Sequence, residues 1–188
     1  MFNSQIPASI LLKQKSVAQK QNSIQTTIDW SDAYVAYFDG LCEPVNPGGV
    51  ATYGLVVRRG GRIIFQDSGL AFAKPWTLEA SNNVAEYSAA IHALEWLKQS
   101  GLKDTAVILR GDSRLIINQL KGSFKVKATR ILDLNRRAAK LLSEFSRAKL
   151  EWVDRSKNSE ADRLSRQAYR KFRLESSRRK NFPDANVF

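Results

Sequence analysis

Three β-prone runs follow one another near the start of this chain, before any strong helical pattern. They cover residues 34–38, 51–58 and 62–68, and Gly60-Gly61 between the last two is a hairpin signal. Apolar periodicity in the rest of the chain predicts helix, strand, helix, helix, strand and helix. A meander followed by alternating helices and strands forms one mixed sheet covered by helices. The order of elements therefore predicts an α/β fold with a five-stranded mixed sheet and helices on both faces.

The boundaries of the later elements come from apolar spacing and from turn residues. Helices are predicted over residues 78–98, 113–120, 129–145 and 159–172, strands over 105–110 and 149–153, and a Pro/Gly loop over 41–49. Residues 1–31 are expected to form a flexible extension, in which residues 7–20 can form a weak helix. The domain then covers residues 32–172, and residues 173–188 form a mobile basic tail.

The balance of charge limits the classes of partner. The chain of 188 residues contains 30 Lys and Arg against 18 Asp and Glu, a formal net charge of +12. This balance favours nucleic acid or an anionic membrane surface as partner, although a basic proteome alone can produce it. No apolar run approaches the roughly 20 residues that cross a bilayer, and the single cysteine excludes an internal disulfide. We expect a cytoplasmic protein that contacts no membrane.

Four acidic residues stand in four different segments of the chain. Asp39 and Asp112 each follow a β-prone run, and Glu86 and Asp162 lie in helical patterns. A carboxylate that a strand carries into the interior costs free energy unless it is paired or holds a cation. Mg²⁺ prefers oxygen ligands, and two ions about 4 Å apart can clamp the attacking and leaving oxygens of a phosphoryl displacement. On a cationic chain, the four acids predict phosphodiester chemistry.

Each acid also has an ordinary structural explanation. Asp39, followed by Gly40, can belong to a turn, and Glu86 can be a solvated helix residue. Asp112 can cap the helix that follows it, and Asp162 can interact with the dipole of a first helical turn. Sequence spacing leaves these alternatives open, because it does not show that the four side chains converge.

Five motifs carry a resemblance to a known family. In chain order they are Tyr37-Phe38-Asp39-Gly40, Asn46-Pro47-Gly48-Gly49, Asn82-Asn83 followed by Ala85-Glu86-Tyr87, Gly111-Asp112-Ser113, and Asn158 followed by Ala161-Asp162-Arg163-Leu164-Ser165. Through them, residues 33–172 resemble type 1 ribonuclease H, in its archaeal and plant-like branch. The resemblance implies a ribonuclease H-like fold and endonucleolytic cleavage of the RNA strand of an RNA/DNA hybrid, with 5′-phosphate and 3′-hydroxyl products. We expect the protein to be a monomer.

The resemblance also implies roles for the acids. Asp39, Glu86, Asp112 and Asp162 match the four metal-site acids of the family. They would hold two Mg²⁺ ions in the substrate complex, with Mn²⁺ as a substitute. Glu86 would also lie near the attacked ribose.

Further positions match the family's contacts with nucleic acid. Cys42, Asn46, Asn82 and Asn83 fall where the family contacts sugars and base edges, and Ser81 and Asn158 fall where it holds a phosphate of the DNA strand. Amide side chains can sense the 2′-hydroxyl that distinguishes RNA from DNA. Cys42 can instead be a packed thiol, and Asn46 and Asn83 can be ordinary turn or cap residues.

The chain departs from the family's pattern at several places, one of which is a loop from Asp39 to Asn46 that is one residue longer than in the enterobacterial form. The loop before the last acid often carries a mobile histidine, whereas residues 154–157 contain none and include Arg155, which we predict contacts product phosphate. The basic protrusion of some members is missing, and lysines of the 121–127 connection, Lys125 among them, are expected to contact phosphate in its place. Glu79 stands where animal members have an arginine of the phosphate pocket.

Other residues have two interpretations each. Trp76 can stack on a sugar or base, or it can anchor its loop. Basic residues along the last helix can neutralise phosphates, which predicts steep salt dependence, or they can form a solvated face; they are Arg163, Arg166, Arg170, Lys171 and Arg173. The single histidine, His92, is expected to be structural.

Three alternatives stand beside a ribonuclease H that cuts RNA/DNA hybrids. One is a module that binds hybrids or double-stranded RNA with weak cleavage. Another is a nuclease that also cuts double-stranded RNA, and the third is a domain cut from a reverse transcriptase. Turnover in Mg²⁺ and Mn²⁺ on different duplexes distinguishes them.

Overall fold

The computed structural model describes residues 29–181, which contain five strands in one sheet. They are β1 (Tyr34–Glu43), β2 (Val50–Arg59), β3 (Arg62–Leu70), β4 (Ala106–Gly111) and β5 (Arg147–Trp152). The strand order is β3-β2-β1-β4-β5. The first three strands pair antiparallel, whereas β4 is parallel to both β1 and β5. This topology confirms the predicted five-stranded mixed sheet.

Four α-helices accompany the sheet within the same described residues, and the third of them packs on the first two rather than on the strands. They are α1 (Asn82–Gln99), α2 (Arg114–Leu120), α3 (Thr129–Leu142) and α4 (Ser159–Asn181), and a 3₁₀ turn (Arg155–Asn158) leads into α4. Ser81 and Ser113 cap α1 and α2, because each side chain accepts a hydrogen bond from a backbone N–H of the first turn. None of the helices in residues 29–181 is both long enough and apolar enough to span a membrane.

Alternation along the central strands places helices on both faces of the sheet. Phe38 and Leu55 belong to the main core, which α1 shares. Asp39 and Gly54, their neighbours along the strands, face α4 instead, since the Asp39 carboxylate contacts Ser165 there. The largest fully buried side chains of the core include Phe38, Leu55, Tyr87, Leu94, Leu97 and Leu109.

Two glycines allow both helices to approach the central strands closely. A Cβ on Gly40 would lie 2.1 Å from the backbone N of Glu86 on α1. A Cβ on Gly54 would lie 2.1 Å from the carbonyl O of Ala161 on α4. No side chain fits at such separations, so both positions require glycine. Gly40 follows Asp39 and Gly54 pairs with it, so α1 and α4 both meet the sheet at the level of Asp39.

The first strand is longer than predicted. It continues past residue 38 to Glu43, because its ladder with β2 runs on from the Asp39–Gly54 pair to the Glu43–Val50 pair. Asp39 therefore lies inside a strand, and the turn interpretation of Asp39-Gly40 is wrong. The Pro/Gly loop begins after Glu43 rather than at residue 41.

The helices also differ from their predicted ends. α1 begins at Asn82 rather than at residue 78, because Ser81 caps it. α3 ends at Leu142, three residues before the predicted end at residue 145. α4 continues past residue 172 to Asn181, so the first part of the expected mobile tail is helical. The predicted weak helix over residues 7–20 lies outside the described residues.

Candidate active site

Two parallel strands bring two acids side by side. Tyr37 on β1 lies beside Arg110 on β4, so Asp39 and Asp112, each two residues further along, are also neighbours. Asp39, Glu86 and Asp112 each offer a carboxylate oxygen, and these oxygens all lie within 4.8 Å of one another. Three acids from β1, α1 and the end of β4 therefore converge on one point, which we call the carboxylate cluster.

Glu86 reaches the cluster from α1, where Gly40 permits the close approach of helix and strand. Its side chain is buried, and Oε2 has no hydrogen-bond partner among the residues that the structure describes. Burial raises the pKa of Glu86 well above its ordinary value, and the charges of Asp39 and Asp112 raise it further. A buried carboxylate oxygen without a partner is costly unless something else compensates it.

Asp39 is tied to α4 by a short hydrogen bond. Ser165 Oγ lies 2.5 Å from Asp39 Oδ2 and 2.8 Å from the carbonyl O of Asp162. Burial raises the pKa of Asp39 to about 7; the bond from Ser165 opposes this rise, and the charges of Asp112 and Asp162 add to it. The cluster thus holds more negative charge than an interior accepts without a cation or a proton.

Asn158 orients Asp112 from the 3₁₀ turn. Its Nδ2 donates to Asp112 Oδ1 at 3.1 Å and to the carbonyl O of Phe38 at 2.9 Å. The side chain is only 1% exposed. Asn158 therefore supports the cluster, and its predicted contact with a phosphate of the DNA strand stays a prediction.

Asp162, the fourth predicted acid, lies beside the cluster and is engaged by two arginines. Arg155 Nη2 donates to Asp162 Oδ1 at 2.6 Å, and Arg166 Nε donates to Asp162 Oδ2 at 2.9 Å. Partial burial acts to raise the pKa of Asp162, but the bonds and charges of Arg166 and Arg155 outweigh it and lower the pKa. In this arrangement Arg155 faces an acid, and its predicted contact with product phosphate stays a prediction.

The carboxylate cluster has the chemistry of a divalent-cation site. Three acids supply hard oxygen ligands, as Mg²⁺ and Mn²⁺ prefer, and in the described part of the chain the buried Oε2 of Glu86 has no donor. A bound cation would remove the cost of both features. The residues therefore fit a metal, with Asp39, Glu86 and Asp112 as its ligands and Asp162 within reach of the same region.

A chain of hydrogen bonds joins three of the predicted nucleic-acid contacts. The backbone N–H of Asn82 donates to Asn46 Oδ1 at 2.9 Å, and the backbone N–H of Cys42 donates to Asn82 Oδ1 at 3.0 Å. Their carbonyl oxygens are thus occupied, and the amide NH₂ groups of Asn46 and Asn82 have no partner among the described residues. The thiol of Cys42 is buried and donates to the carbonyl O of Val45 at 3.3 Å. Its burial favours the packed-thiol interpretation over a contact with sugar.

The remaining predicted contacts fall into two groups. Ser81 is buried and caps α1, and its expected phosphate contact stays a prediction. Asn83 and Lys125 instead line one surface cavity of about 550 Å³, together with Phe124 and Leu115, which are both exposed. Through Asn83 this cavity reaches the start of α1, three residues before Glu86.

Two residues contact the acids in a role that the sequence analysis did not predict. Ser165 was named there only as the end of the last motif, and Arg166 only among the basic residues of the last helix. The available signal was spacing: they follow Asp162 by three and four residues, which places all three on one helical face. The expectation for His92 agrees with its contact, since its ring stacks on Tyr53 at 4.2 Å between centroids.

Known proteins share this sequence pattern. Residues 49–168 match the reverse transcriptase-like family. The bifunctional protein Rv2228c of Mycobacterium tuberculosis is 39% identical over 123 residues, which cover 65% of this chain and 32% of that protein. This chain therefore spans about a third of the length of that relative. Ribonuclease HI of Halobacterium salinarum is 35% identical over 133 residues, covering 71% of this chain and 62% of the relative.

Solved structures share the path of the backbone. RNase H1 from Halobacterium salinarum superposes with a TM-score of 0.65 at 32% identity, covering 74% of this chain and 98% of that one. LC11-RNase H1, solved in complex with an RNA/DNA hybrid, gives a TM-score of 0.65 at 33% identity, covering 73% of this chain and 97% of that one. Because the agreement in both sequence and backbone extends over nearly the whole of these two structures, this chain belongs to the type 1 ribonuclease H family.

Proposed function

We propose that this protein is a metal-dependent endonuclease that hydrolyses the RNA strand of RNA/DNA hybrids. The observation that carries the proposal is the carboxylate cluster with the buried Oε2 of Glu86, which has no partner within residues 29–181. The cluster is set in a chain of net charge +12, which suits a polyanionic substrate. A relative of 33% identity, LC11-RNase H1, has been solved with an RNA/DNA hybrid.

Some residues of the chain would bind the metal, and others orient the acids that bind it. Asp39, Glu86 and Asp112 would hold two Mg²⁺ ions, or Mn²⁺, and Asp162 would join them by exchanging its arginine partners for a cation. When bound, the ions would activate a water and stabilise the charge that develops on the leaving 3′ oxygen. Ser165 orients Asp39 and Asn158 orients Asp112, so that the carboxylates are preorganised before substrate arrives.

The preference for RNA in the cut strand is assigned to amide groups near the cluster. The NH₂ groups of Asn46 and Asn82 are donors, and each is fixed in direction because its own carbonyl oxygen already accepts a hydrogen bond. Donors of this kind recognise 2′-hydroxyls and base edges in a shallow minor groove. Asn83 and Lys125 extend the same surface. We also retain the sequence-based predictions of a monomer and of a cytoplasmic location.

A cleavage assay on end-labelled duplexes tests the proposal. RNA/DNA, RNA/RNA, DNA/DNA and single-stranded RNA are compared in Mg²⁺, in Mn²⁺ and in chelator. We expect metal-dependent cutting of the RNA strand of the hybrid, with 5′-phosphate and 3′-hydroxyl ends. Asp112→Asn removes a cluster charge with little change of shape, and it should abolish cutting. Asp133→Asn, on the exposed face of α3, is the matched control and should cut normally.

The other outcomes identify the alternatives. Binding of the hybrid without cutting in either metal would make the protein a recognition module. Cutting of RNA/RNA at a rate comparable with the hybrid would widen the substrate class to double-stranded RNA. Cutting that persists in Asp112→Asn would remove the carboxylate cluster from the mechanism.

A further inference from the structure

Trp76, in the loop before α1, is exposed on the surface and has an unusual backbone conformation. Its side chain is 53% exposed, and its backbone φ is 67°, a value that bulky L-residues rarely adopt. The backbone N–H of Trp76 donates to the carbonyl O of Gly49 at 2.9 Å, which ties the loop to the start of β2. Strained, exposed residues cluster at ligand sites, because the surrounding structure must hold them in place. An indole ring that is exposed and held in this way is suited to binding a ligand rather than to packing in the hydrophobic core.

The extension of α4 beyond residue 172 faces this ring. Asp162, Arg166, Tyr169 and Arg173 follow one another at spacings of four, three and four residues, so they share one face of the helix. Contacts along the face agree with this spacing: Arg166 donates to Asp162, and Arg173 donates to the Tyr169 hydroxyl at 3.1 Å. The face that begins beside the carboxylate cluster therefore continues to Arg173.

A small cavity lies where the ring and the helix meet. Its volume is about 300 Å³, and it is lined by Trp76, Arg173, Ser176 and Ser177. We call it the Trp76 notch. Arg155 and Arg166 have carboxylate partners, whereas Arg173 has none among the residues whose side chains the structure describes. Its guanidinium group donates to a neutral hydroxyl and keeps further N–H donors for an anion.

We propose that the Trp76 notch binds an unpaired nucleotide that adjoins the hybrid held at the carboxylate cluster, an inference that rests on the proposed function. An aromatic face beside a cationic group is how proteins bind single strands, with the base stacked on the ring and the phosphate on the cation. Bases inside a duplex already stack on both neighbours, whereas an unpaired base can offer a free face to Trp76. The two serine hydroxyls add hydrogen-bonding groups for sugar or phosphate.

Distance along the helix gives the position of that nucleotide. Arg173 lies eleven residues beyond Asp162 (173 − 162), which at the rise of an α-helix is about 16 Å. That length corresponds to about five nucleotides, because successive nucleotides of one strand of a duplex are about 3.4 Å apart along its axis. We take the hybrid to run along α4, so the ligand is a hybrid with a single-stranded extension whose junction lies about five base pairs from the scissile bond.

Binding measurements in the Asp112→Asn background test the inference without cleavage. A blunt hybrid is compared with the same hybrid carrying a short unpaired extension at each end of each strand in turn. We expect one of these extensions to raise affinity by about fivefold or more, as stacking of one base does. Trp76→Gly should bring the ratio of the two affinities back to one, and Trp76→Phe, which keeps a ring, should retain it. Arg173→Gln should lower the ratio and its salt dependence.

Two controls separate binding from folding. Glycine suits the positive φ at position 76, so Trp76→Gly should unfold at nearly the same temperature as the parent protein. Leu174→Ala removes an exposed apolar side chain next to Arg173, and it should leave the ratio at its parent value. Two results would overturn the inference. One is equal affinity for blunt and extended hybrids, whatever the extension, in the Asp112→Asn protein; the other is an undiminished ratio of affinities after Trp76→Gly is added to it.

Failure of this inference can be told apart from failure of the proposed function. The proposed function fails if protein with its natural acids does not cut the blunt hybrid. The notch fails if that protein cuts the blunt hybrid while no extension changes affinity. Mapping of cut positions adds a second readout, since cuts should concentrate about five nucleotides from the junction and lose this preference in Trp76→Gly.

Discussion

Ser165 Oγ lies 2.5 Å from Asp39 Oδ2 and 2.8 Å from the carbonyl O of Asp162. One hydroxyl thus joins an acid of β1 to the first turns of α4. Thr52 strengthens the same junction, because its hydroxyl donates to the carbonyl O of Ser165 at 2.9 Å. A hydroxyl carries a single hydrogen, so when Ser165 donates to the Asp39 carboxylate it cannot also donate to the carbonyl.

Ser165→Ala should make catalysis more sensitive to acid. The bond from Ser165 holds the pKa of Asp39 lower than burial alone would set it, so its loss raises that pKa. We expect the acidic limb of the pH profile of kcat/KM to move to higher pH. At pH values on this limb, the variant should be about tenfold less active than the parent protein. Ser143→Ala, on an exposed hydroxyl after α3, is the control. An acidic limb that stays in place would show that Ser165 does not govern the protonation of Asp39.

Metal-free protein should lose stability as pH rises toward neutrality. Burial raises the pKa of Asp39 to about 7, whereas an unfolded Asp titrates near 4. Between these values the folded state binds the proton and the unfolded state releases it, so the free energy of unfolding falls with rising pH, by at most about 4 kcal/mol. Glu86, whose pKa is also raised, acts in the same direction.

Thermal melts in chelator, from about pH 5 to about pH 8, measure this dependence. Asp39→Asn should make the melting temperature depend less on pH. At the highest pH it should be more stable than the parent protein, in which the clustered carboxylates are then charged together. The lowered pKa of Asp162 has the opposite sign, but its loss of stability lies at more acidic pH. A parent protein whose melting temperature rises across the range would contradict the assignment of Asp39.

Arg155→Ala should lower the concentration of Mg²⁺ that half-saturates activity. Arg155 occupies Asp162 at 2.6 Å and adds positive charge where a cation would bind. The Arg155 side chain is 67% exposed, and solvent screens such a pair, so we expect a change of no more than about fivefold. Arg59→Ala, which breaks an exposed pair with Asp32 at the far end of β2, should leave the requirement unchanged. A higher requirement in Arg155→Ala would show that the arginine assists metal binding.

Gly40→Ala should destabilise the protein and separate its acids. A Cβ at this position would lie 2.1 Å from the backbone N of Glu86, so β1 and α1 would have to move apart. We expect a loss of about 3 kcal/mol in the free energy of unfolding by urea, and a fall in kcat in whatever protein remains folded. Gly69→Ala is the matched control on β3, since its Cβ would meet only the Tyr53 side chain at 3.3 Å. Equal losses in both variants would argue against a special contact at Gly40.

Local pattern determined the elements and three members of the site. The alternation of β-prone runs and the periodicity of the helices are properties of adjacent residues, so they predict the mixed sheet without knowledge of the fold. Asp39, Glu86 and Asp112 were identified because each stands at a recognisable place in such an element, and the structure brings them together. The length of β1 was underestimated, because pairing with β2, not β propensity, carries the strand through Cys42 to Glu43.

Only the tertiary structure decided which residues support the acids and which carboxylate oxygens already have hydrogen-bond partners. Ser165 meets Asp39 across 126 residues, and Asn158 meets Phe38 across 120. Sequence spacing can place Ser165 on one helical face with Asp162, but it does not show the bonds to Asp39 and Phe38, because they depend on positions that the whole fold sets. The same reason explains why Cys42 and Ser81 are buried rather than exposed to substrate. The sequence determined the chemistry of this site, and packing decided which groups are held, which are covered, and which still lack a partner.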